Sequence, residues 1–250
     1  MIPLLQAEAL VKSWGGVRAV DEVSFTLAPG EMLALIGPNG AGKSTCFNLL
    51  NGQLQPDSGR VRLLGQDVTG LRPRAIWRLG VGRTFQVTAT FGSMSVLDNV
   101  RMALLSHHRR LFGLWRPADQ LMTREAEVLL SRVGMADQAA RPSGVLAYGE
   151  LKRLELAMAL SNHPRLLLMD EPTAGMAPSE RVALMARTAG IARDAGIAVL
   201  FTEHDMDVVF THADRVLVLD RGRLIAAGAP EAVRADPLVR RIYLGGLADA

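Results

Sequence analysis

The sequence predicts an α/β fold with an antiparallel β subdomain at its N-terminus and a helical lobe inserted into the core. Short alternating segments fill about residues 1–30 and close at Pro29-Gly30, as expected of strands joined by turns. Helical periodicity dominates about residues 87–161. Continuous apolar runs of strand length, typical of strands buried on both faces, flank that region: 32–36, 166–169 and 197–202.

The remaining elements follow from local patterns. A helix is predicted from about Lys43 to Asn51, with Gly52 as its end, and a strand from Arg60 to Leu64. Three further helices and one hairpin, turning at Asp220-Arg221-Gly222, are predicted along the chain: 121–133, 150–160, 178–193 and 216–225.

We expect one globular domain over residues 1–250. The chain has 250 residues, of which 49% are hydrophobic and 21% charged, enough to bury a sizeable core. No internal repeat appears. The expected division is a core, a helical lobe and a short C-terminal helical tail: about 1–86 with 162–235, about 87–161, and 236–250.

Composition limits the kinds of partner and the cellular compartment that are expected for this chain. The net charge of +3 comes from scattered basic residues, so no nucleic-acid partner is expected. The single cysteine, Cys46, excludes an internal disulfide and fits a reducing compartment. We find no signal-peptide pattern and no apolar run near the ~18 residues that span a bilayer. A membrane role would therefore be exercised from the cytoplasm, through another chain.

A glycine-rich segment matches the P-loop pattern in full and predicts a nucleotide site. Its backbone N–H groups and the following helix N-terminus favour a phosphate chain. Lys43 is expected to reach the β- and γ-phosphates, and Ser44 to ligate Mg²⁺. The alternative is a ligand-free turn, which the preceding strand and following helix disfavour. The nucleotide-binding set is Gly37, Pro38, Asn39, Gly40, Ala41, Gly42, Lys43, Ser44 and Thr45.

Two carboxylates end the apolar run 166–169. Asp170 is placed to hold Mg²⁺, and Glu171 to orient and deprotonate the attacking water. Hydrolysis of a phosphoanhydride needs both roles close together. A solvated acidic pair is the alternative, and the P-loop favours the catalytic interpretation.

The order of these motifs with Gln86, 146–150 and His204 resembles ABC transporter ATPases over essentially the whole chain. The resemblance implies a P-loop NTPase core that uses ATP and Mg²⁺. It also implies that Gln86 senses Mg²⁺ and the attacking water, that His204 contacts the γ-phosphate, and that Trp14 stacks on adenine.

Each of these residues has a simpler alternative. Gln86 could be a surface or hinge residue, His204 a hydrogen-bonded strand end, and Trp14 a core aromatic. The other histidines show no metal-like spacing and are expected to be structural: His107, His108, His163 and His212.

The segment 146–150 resembles the family's signature motif, which acts on ATP held by the opposite subunit. Gly149 and Glu150 open a helix, and such an N-terminus attracts a phosphate. Ala147 and Tyr148 replace the usual serine and first glycine, and Ala177 replaces an aspartate common in the dimer-contact loop. The resemblance implies that Tyr148, Gly149 and Glu150 serve the partner's nucleotide.

Three short segments look like the ATPases of branched-chain and hydrophobic amino acid importers: 83–86, 147–149 and 243–245. Related branches serve urea, short amides and aromatic acids. The resemblance implies integral membrane permease subunits, a second ABC ATPase subunit (homo- or heterodimer), and indirectly a periplasmic solute-binding protein. It places the chain at the cytoplasmic face of the inner membrane. The apolar segment 87–99 either receives a helix of the membrane protein or belongs to the lobe core.

Three other classes of protein fit the sequence less well. A soluble ABC ATPase that remodels DNA or ribosomes usually carries two cassettes, a coiled-coil insertion or a basic arm, and none is visible. A GTPase would carry an Asn-Lys-x-Asp motif, which is missing from the sequence. A small-molecule kinase would not need a signature helix.

Overall fold

The computed structural model describes residues 2–84, 90–108 and 122–244, and for Tyr243 and Leu244 the backbone alone. Ten strands lie in these parts of the chain, and they form two sheets. The strands are β1 Leu5–Trp14, β2 Val17–Leu27, β3 Met32–Ile36, β4 Ser58–Leu63, β5 Gln66–Asp67, β6 Val81–Thr84, β7 Leu166–Asp170, β8 Ala198–Thr202, β9 Arg215–Asp220 and β10 Arg223–Gly228.

The helices alternate with the strands outside the middle of the chain and follow one another within it. They are α1 Lys43–Leu50, α2 Pro73–Arg78, α3 Val96–His107, α4 Thr123–Arg132, α5 Tyr148–Leu160, α6 Pro178–Ala195, α7 Met206–His212, α8 Pro230–Ala235 and α9 Pro237–Val239, followed by a π-helical turn at Arg240–Leu244. None of the helices in the described ranges is both long and apolar enough to cross a bilayer.

The larger sheet has the order β10-β9-β3-β8-β7-β6, and only β10 runs antiparallel to its neighbour. The smaller sheet is antiparallel, with the order β2-β1-β4-β5. The predicted fold class, an α/β core with an N-terminal antiparallel β subdomain and helices inserted in the middle, is confirmed.

One hydrophobic core lies on each face of the central strands. Leu33 and Leu35 of β3 pack into a core shared with the small sheet and α1. Met32, Ala34 and Ile36 point to the opposite face and pack against the helices α3 to α7. All five residues of β3 are buried, which explains its uninterrupted apolar sequence.

The helix α5 begins at Tyr148, two residues before the predicted start at residue 150. Ala147 is the N-cap residue, with φ −65° and ψ 157°, and it carries no side-chain acceptor. Glu150, at the third helical position, supplies the other bond of a capping box, because its Oε2 accepts a hydrogen bond of 2.8 Å from the Ala147 N–H. The boundary therefore depends on a residue inside the helix.

The buried amide of Asn99 fastens the chain that leads into α3. Its Oδ1 accepts from the Phe91 N–H at 2.8 Å, and its Nδ2 donates to the Ser95 carbonyl at 2.9 Å and to Ser143 Oγ at 3.2 Å. Ser143 Oγ in turn donates to the Phe91 carbonyl at 2.9 Å. One side chain therefore joins the backbone at Phe91 and Ser95 to the hydroxyl of Ser143.

We expect Asn99→Ala to lower the free energy of unfolding by about 2–3 kcal/mol, because buried donors and acceptors lose their partners. Urea denaturation measures this difference. Ser106→Ala, at an exposed position of the same helix, is the control and should change stability by less than ~0.5 kcal/mol. Equal stability of the two variants would contradict the role given to Asn99.

Candidate functional site

The carboxyl ends of three adjacent parallel strands define the site. The strands β3, β8 and β7 are neighbours, with Leu35 level with Thr202 and Thr202 level with Asp170. Open parallel sheets bind ligands at this edge. The loops that follow the three strands carry most of the predicted site residues.

The glycine-rich loop after β3 is shaped by close backbone contacts. Gly42 has φ 103°, and a Cβ there would lie 2.1 Å from the Ala19 carbonyl oxygen. On the other side, the Gly222 N–H donates to the Ala41 carbonyl at 2.9 Å, so the β9–β10 hairpin braces the loop. Only glycine fits at position 42, where α1 begins.

Lys43, the first residue of α1, is folded back over this loop. Its Nζ donates to the carbonyls of Gly37 at 2.7 Å and Pro38 at 3.1 Å. Burial lowers the pKa of Lys43, and the carboxylates of Glu171 and Asp170 oppose this shift. The ammonium therefore lies among acceptors at the centre of the site.

The rest of the loop differs in exposure. Gly37 and Ala41 are buried, Pro38 and Thr45 are half-buried, and Asn39, Gly40 and Ser44 are exposed. The Ser44 hydroxyl is therefore accessible next to Lys43.

Thr202 links the two acidic residues at the end of β7. Its buried Oγ1 donates to Asp170 Oδ1 at 2.7 Å and accepts from the Glu171 N–H at 2.9 Å. Glu171 has φ 48°, a conformation uncommon outside glycine. Sequence reasoning missed Thr202, because only strand pairing shows that it lies level with Asp170.

The His204 side chain is hydrogen-bonded to the Glu171 side chain. The distance from its Nε2 to Glu171 Oε1 is 2.8 Å, and both side chains reach solvent. The structure thus brings together Lys43 of the P-loop, the adjacent pair Asp170 and Glu171, and His204, which lie in three separate parts of the sequence.

Glu203 is a second residue that sequence reasoning missed. It is 3% exposed, and its Oε1 accepts from the Thr173 N–H at 3.0 Å and from Thr173 Oγ1 at 2.6 Å. Its Oε2 accepts from the His204 N–H at 3.2 Å. The loops after β7 and β8 are therefore held to one another by a buried carboxylate.

The signature segment lies at the N-terminus of α5. Tyr148 is 43% exposed, and Glu150 forms an ion pair with Arg141 at 3.1 Å. A Cβ on Gly149 would lie 2.8 Å from Glu180 Oε1. A side chain at position 149 would therefore displace the Glu180 carboxylate of α6, a contact that the sequence alone does not show.

Of two other predicted site residues, the structure describes Trp14 but not Gln86. Trp14 ends β1 and is 53% exposed, with Lys12 Nζ 5.2 Å from the ring centroid. The next strand, β2, reaches the P-loop through Ala19. Trp14 is therefore not a core aromatic. Gln86 lies outside the described residues.

The arrangement suits a phosphate chain with a divalent cation. A buried ammonium, the backbone N–H groups of a glycine-rich loop and a helix N-terminus attract phosphate. An accessible hydroxyl and a carboxylate, from Ser44 and Asp170, are hard oxygen ligands of the kind that Mg²⁺ prefers. Glu171 leaves a second carboxylate for acid–base chemistry.

The only cysteine of the sequence lies in the same helix, α1. Cys46 is fully buried, and burial raises the pKa of its thiol to about 12. The thiol is therefore protonated at neutral pH and takes no part in the chemistry of the site.

Comparisons with known proteins agree with this geometry. A family model described as ABC transporter matches residues 20–174. A second model, described as branched-chain amino acid ATP-binding cassette transporter, matches residues 223–249.

Two relatives are similar over nearly their whole length. BraF of Pseudomonas aeruginosa, a high-affinity branched-chain amino acid transport ATP-binding protein, is 38% identical over 97% of this chain and 98% of its own. LivG of Escherichia coli K12, described in the same words, has the same identity and coverage.

Two solved structures share the fold. A nucleotide-free ATP-binding cassette from an ABC transporter superimposes with a TM-score of 0.85, 31% identity, and coverage of 97% of this chain and 99% of that one. An ADP-bound cassette gives a TM-score of 0.87 and 32% identity, covering 98% and 100%. The chain belongs to the ATP-binding cassette ATPases of ABC transporters, and it is similar to those of the branched-chain amino acid systems.

Proposed function

We propose that this chain binds and hydrolyses ATP to drive an ABC importer for branched-chain or related hydrophobic amino acids. The observation that carries the proposal is the meeting of Lys43, Asp170, Glu171 and His204 at one sheet edge. The solute class is supported by similarity to BraF and LivG over the whole chain and by the match at 223–249.

Lys43 and the P-loop bind the triphosphate. The Lys43 ammonium is held by two neutral carbonyl acceptors, and an anionic phosphate offers it stronger, charge-assisted hydrogen bonds. The backbone N–H groups around Gly42 and Ser44 face the same phosphates. We assign adenine stacking to the exposed face of Trp14.

Ser44, Asp170 and Gln86 are the proposed Mg²⁺ ligands, direct or through water. When bound, the ion neutralises charge that develops on the phosphate oxygens. Thr202 fixes the Asp170 carboxylate for this task, because its hydroxyl donates to Oδ1.

Glu171 is the proposed base. It would take a proton from the water that attacks the γ-phosphorus, as the bond to the leaving ADP oxygen breaks. His204 orients the Glu171 carboxylate and would contact the γ-phosphate, and Gln86 would position the water. Glu203 holds the backbones of Thr173 and His204 and so keeps the geometry of both loops.

A complete site needs two cassettes. The signature residues Tyr148, Gly149 and Glu150 lie at the N-terminus of α5, whereas Lys43 begins α1 at the end of β3. We propose that a second ABC ATPase subunit, identical or different, supplies its own α5 to ATP bound here. This geometry supports head-to-tail pairing.

The proposed location is the cytoplasmic face of the inner membrane, through integral membrane permease subunits, with a periplasmic solute-binding protein acting indirectly. Affinity purification of the chain from solubilised membranes tests this proposal. Recovery of two integral membrane proteins supports an importer. Recovery of ribosomes or DNA in their place supports a soluble remodelling ATPase.

We expect Glu171→Gln to retain ATP binding but slow hydrolysis at least ~100-fold, since the base acts only in the chemical step. Lys43→Ala should weaken ATP binding itself. Equilibrium binding and phosphate release measure the two effects. Glu127→Gln, an exposed change on α4, is the control and should hydrolyse at the native rate. A native rate for Glu171→Gln would refute the assigned base.

The unusual signature yields a second prediction. Because Ala147 is an N-cap residue, Ala147→Ser should stabilise α5 by about 0.5–1 kcal/mol. It should change the ATPase rate of the assembled transporter less than tenfold, about 1.4 kcal/mol. A larger gain in rate would mean that alanine weakens this half of the site.

Charge at the next glycine should matter more. Gly149→Asp should abolish the ATPase rate of the assembled transporter, because it adds a second negative charge beside Glu180 at the helix N-terminus that is proposed to attract phosphate. Gly149→Ala is the matched control, since both substitutions displace Glu180 but only one adds charge. Equal rates for the two variants would show that the segment does not meet nucleotide.

Phe91 separates the two interpretations of 87–99. Its side chain is 52% exposed, whereas Val96 is 0% exposed, so only Val96 belongs to the core. Phe91→Asp should uncouple transport from ATP hydrolysis while leaving the melting temperature and basal ATPase rate unchanged. Val96→Asp should instead unfold the protein. A collapsed melting temperature for Phe91→Asp would contradict a docking role.

A further inference from the structure

Three metal-ligating side chains meet outside the nucleotide site. His108 caps the C-terminus of α3, Glu125 lies in the first turn of α4, and His163 lies in the turn between α5 and β7. Their spacing along the sequence matches no metal motif, so only the fold brings them together.

Their ligand atoms lie at distances suited to one metal ion. Glu125 Oε1 is 2.9 Å from His163 Nε2, and Glu125 Oε2 is 3.7 Å from His108 Nε2. All three ligand atoms lie within 4.8 Å of one another. Ligands about 2.0–2.1 Å from a tetrahedral Zn²⁺ are about 3.3–3.4 Å apart, between the two measured distances. One carboxylate oxygen and the two imidazole nitrogens thus form a group compact enough to share one ion.

Hydrogen bonding explains only one of the two contacts that Glu125 makes with the histidines. The 2.9 Å contact of His163 is a hydrogen bond, but the 3.7 Å separation of His108 from Glu125 is too long for one. Each oxygen of the carboxylate thus faces a different imidazole. The side chains are 35%, 31% and 63% exposed for His108, Glu125 and His163, so water can complete the coordination.

We propose that His108, Glu125 and His163 bind a divalent transition metal of the Zn²⁺ type. Two imidazole nitrogens with one carboxylate are a donor set used by Zn²⁺, whereas Mg²⁺ prefers oxygen ligands alone. The site is thereby chemically distinct from the Mg²⁺ ligands proposed at the nucleotide site.

The bound metal would join the inserted helices to the central sheet. His163 is anchored to the sheet side, because the preceding Asn162 donates from Nδ2 to the Trp77 and Val81 carbonyls, both at 3.1 Å. The chain then continues into β7, which ends at Asp170. A metal at this place restrains α3 and α4 relative to the strand that ends at Asp170, just before Glu171.

His107 provides a matched control within the cluster. Its ring lies 5.0 Å from that of His108 and 5.9 Å from that of His163, and it packs edge-on against Trp77 at 5.5 Å. Its ring nitrogens are not among the grouped ligand atoms. Cys46 does not compete for the metal, because its thiol is buried.

The test is calorimetric titration of the full chain, freed of metal with a chelator, with Zn²⁺ in excess Mg²⁺. We expect one saturable site with a dissociation constant below about 10 µM. Glu125→Gln and His163→Ala should each weaken Zn²⁺ binding at least ~tenfold, and His107→Gln less than about threefold. Co²⁺ should give the intense visible bands of tetrahedral coordination, and Zn²⁺ should raise the melting temperature of the native chain.

Three outcomes would overturn the proposal: no saturable binding, displacement of Zn²⁺ by Mg²⁺, or native affinity in both ligand variants. Glu125→Gln keeps the shape of the side chain, so its result decides the question even if His163→Ala does not fold. An equal loss in His107→Gln would also count against the three assigned ligands.

Discussion

The central strands are buried on both faces, and this constraint determines where polar chemistry can lie. Every residue of β3, β7 and β8 is buried, so a polar group inside them needs a partner. Thr202 meets this condition by using its hydroxyl as both donor and acceptor. Asp170, the last residue of β7, is the carboxylate that this hydroxyl satisfies. Lys43, Glu171 and His204 lie just beyond the strand ends, at one edge of the sheet. The sheet edge thus holds the functional groups near one another, and the loop contacts only adjust their positions.

The sequence predicts site residues that are contiguous in the chain, and it misses residues that only the fold brings together. The P-loop and the acidic pair were identified because their residues are contiguous and follow apolar runs. Thr202 and Glu203 were missed because their partners lie 32 and 30 residues away, in another strand end and loop. The cluster of His108, Glu125 and His163 was missed for the same reason. The start of α5 is mispredicted because its N-cap residue, Ala147, has no polar side chain to mark the boundary, and Glu150 contacts the Ala147 N–H from within the helix.

A continuous hydrogen-bonded path connects the entry to α3 with the approach to α5. The Leu97 N–H donates to the Ala139 carbonyl at 2.9 Å, and the Ser143 N–H donates to the Met94 carbonyl at 2.9 Å. The Gly144 N–H donates to the Gly92 carbonyl at 3.0 Å. A displacement of the segment around Phe91 would therefore move the backbone before Ala147. This pairing offers a physical route between the proposed docking residue and the signature helix.

The burial of Cys46 makes the chain a convenient subject for spectroscopy. Thiol reagents attack the thiolate, and this thiol is both enclosed and strongly protonated at neutral pH. A cysteine introduced at an exposed position would thus be the single reactive thiol of the folded chain, without removal of the native one. Pairs of such cysteines, one on the inserted helices and one on the small sheet, would carry fluorescent or spin labels. Distances between the two parts could then be followed through the ATPase cycle in an otherwise unaltered protein.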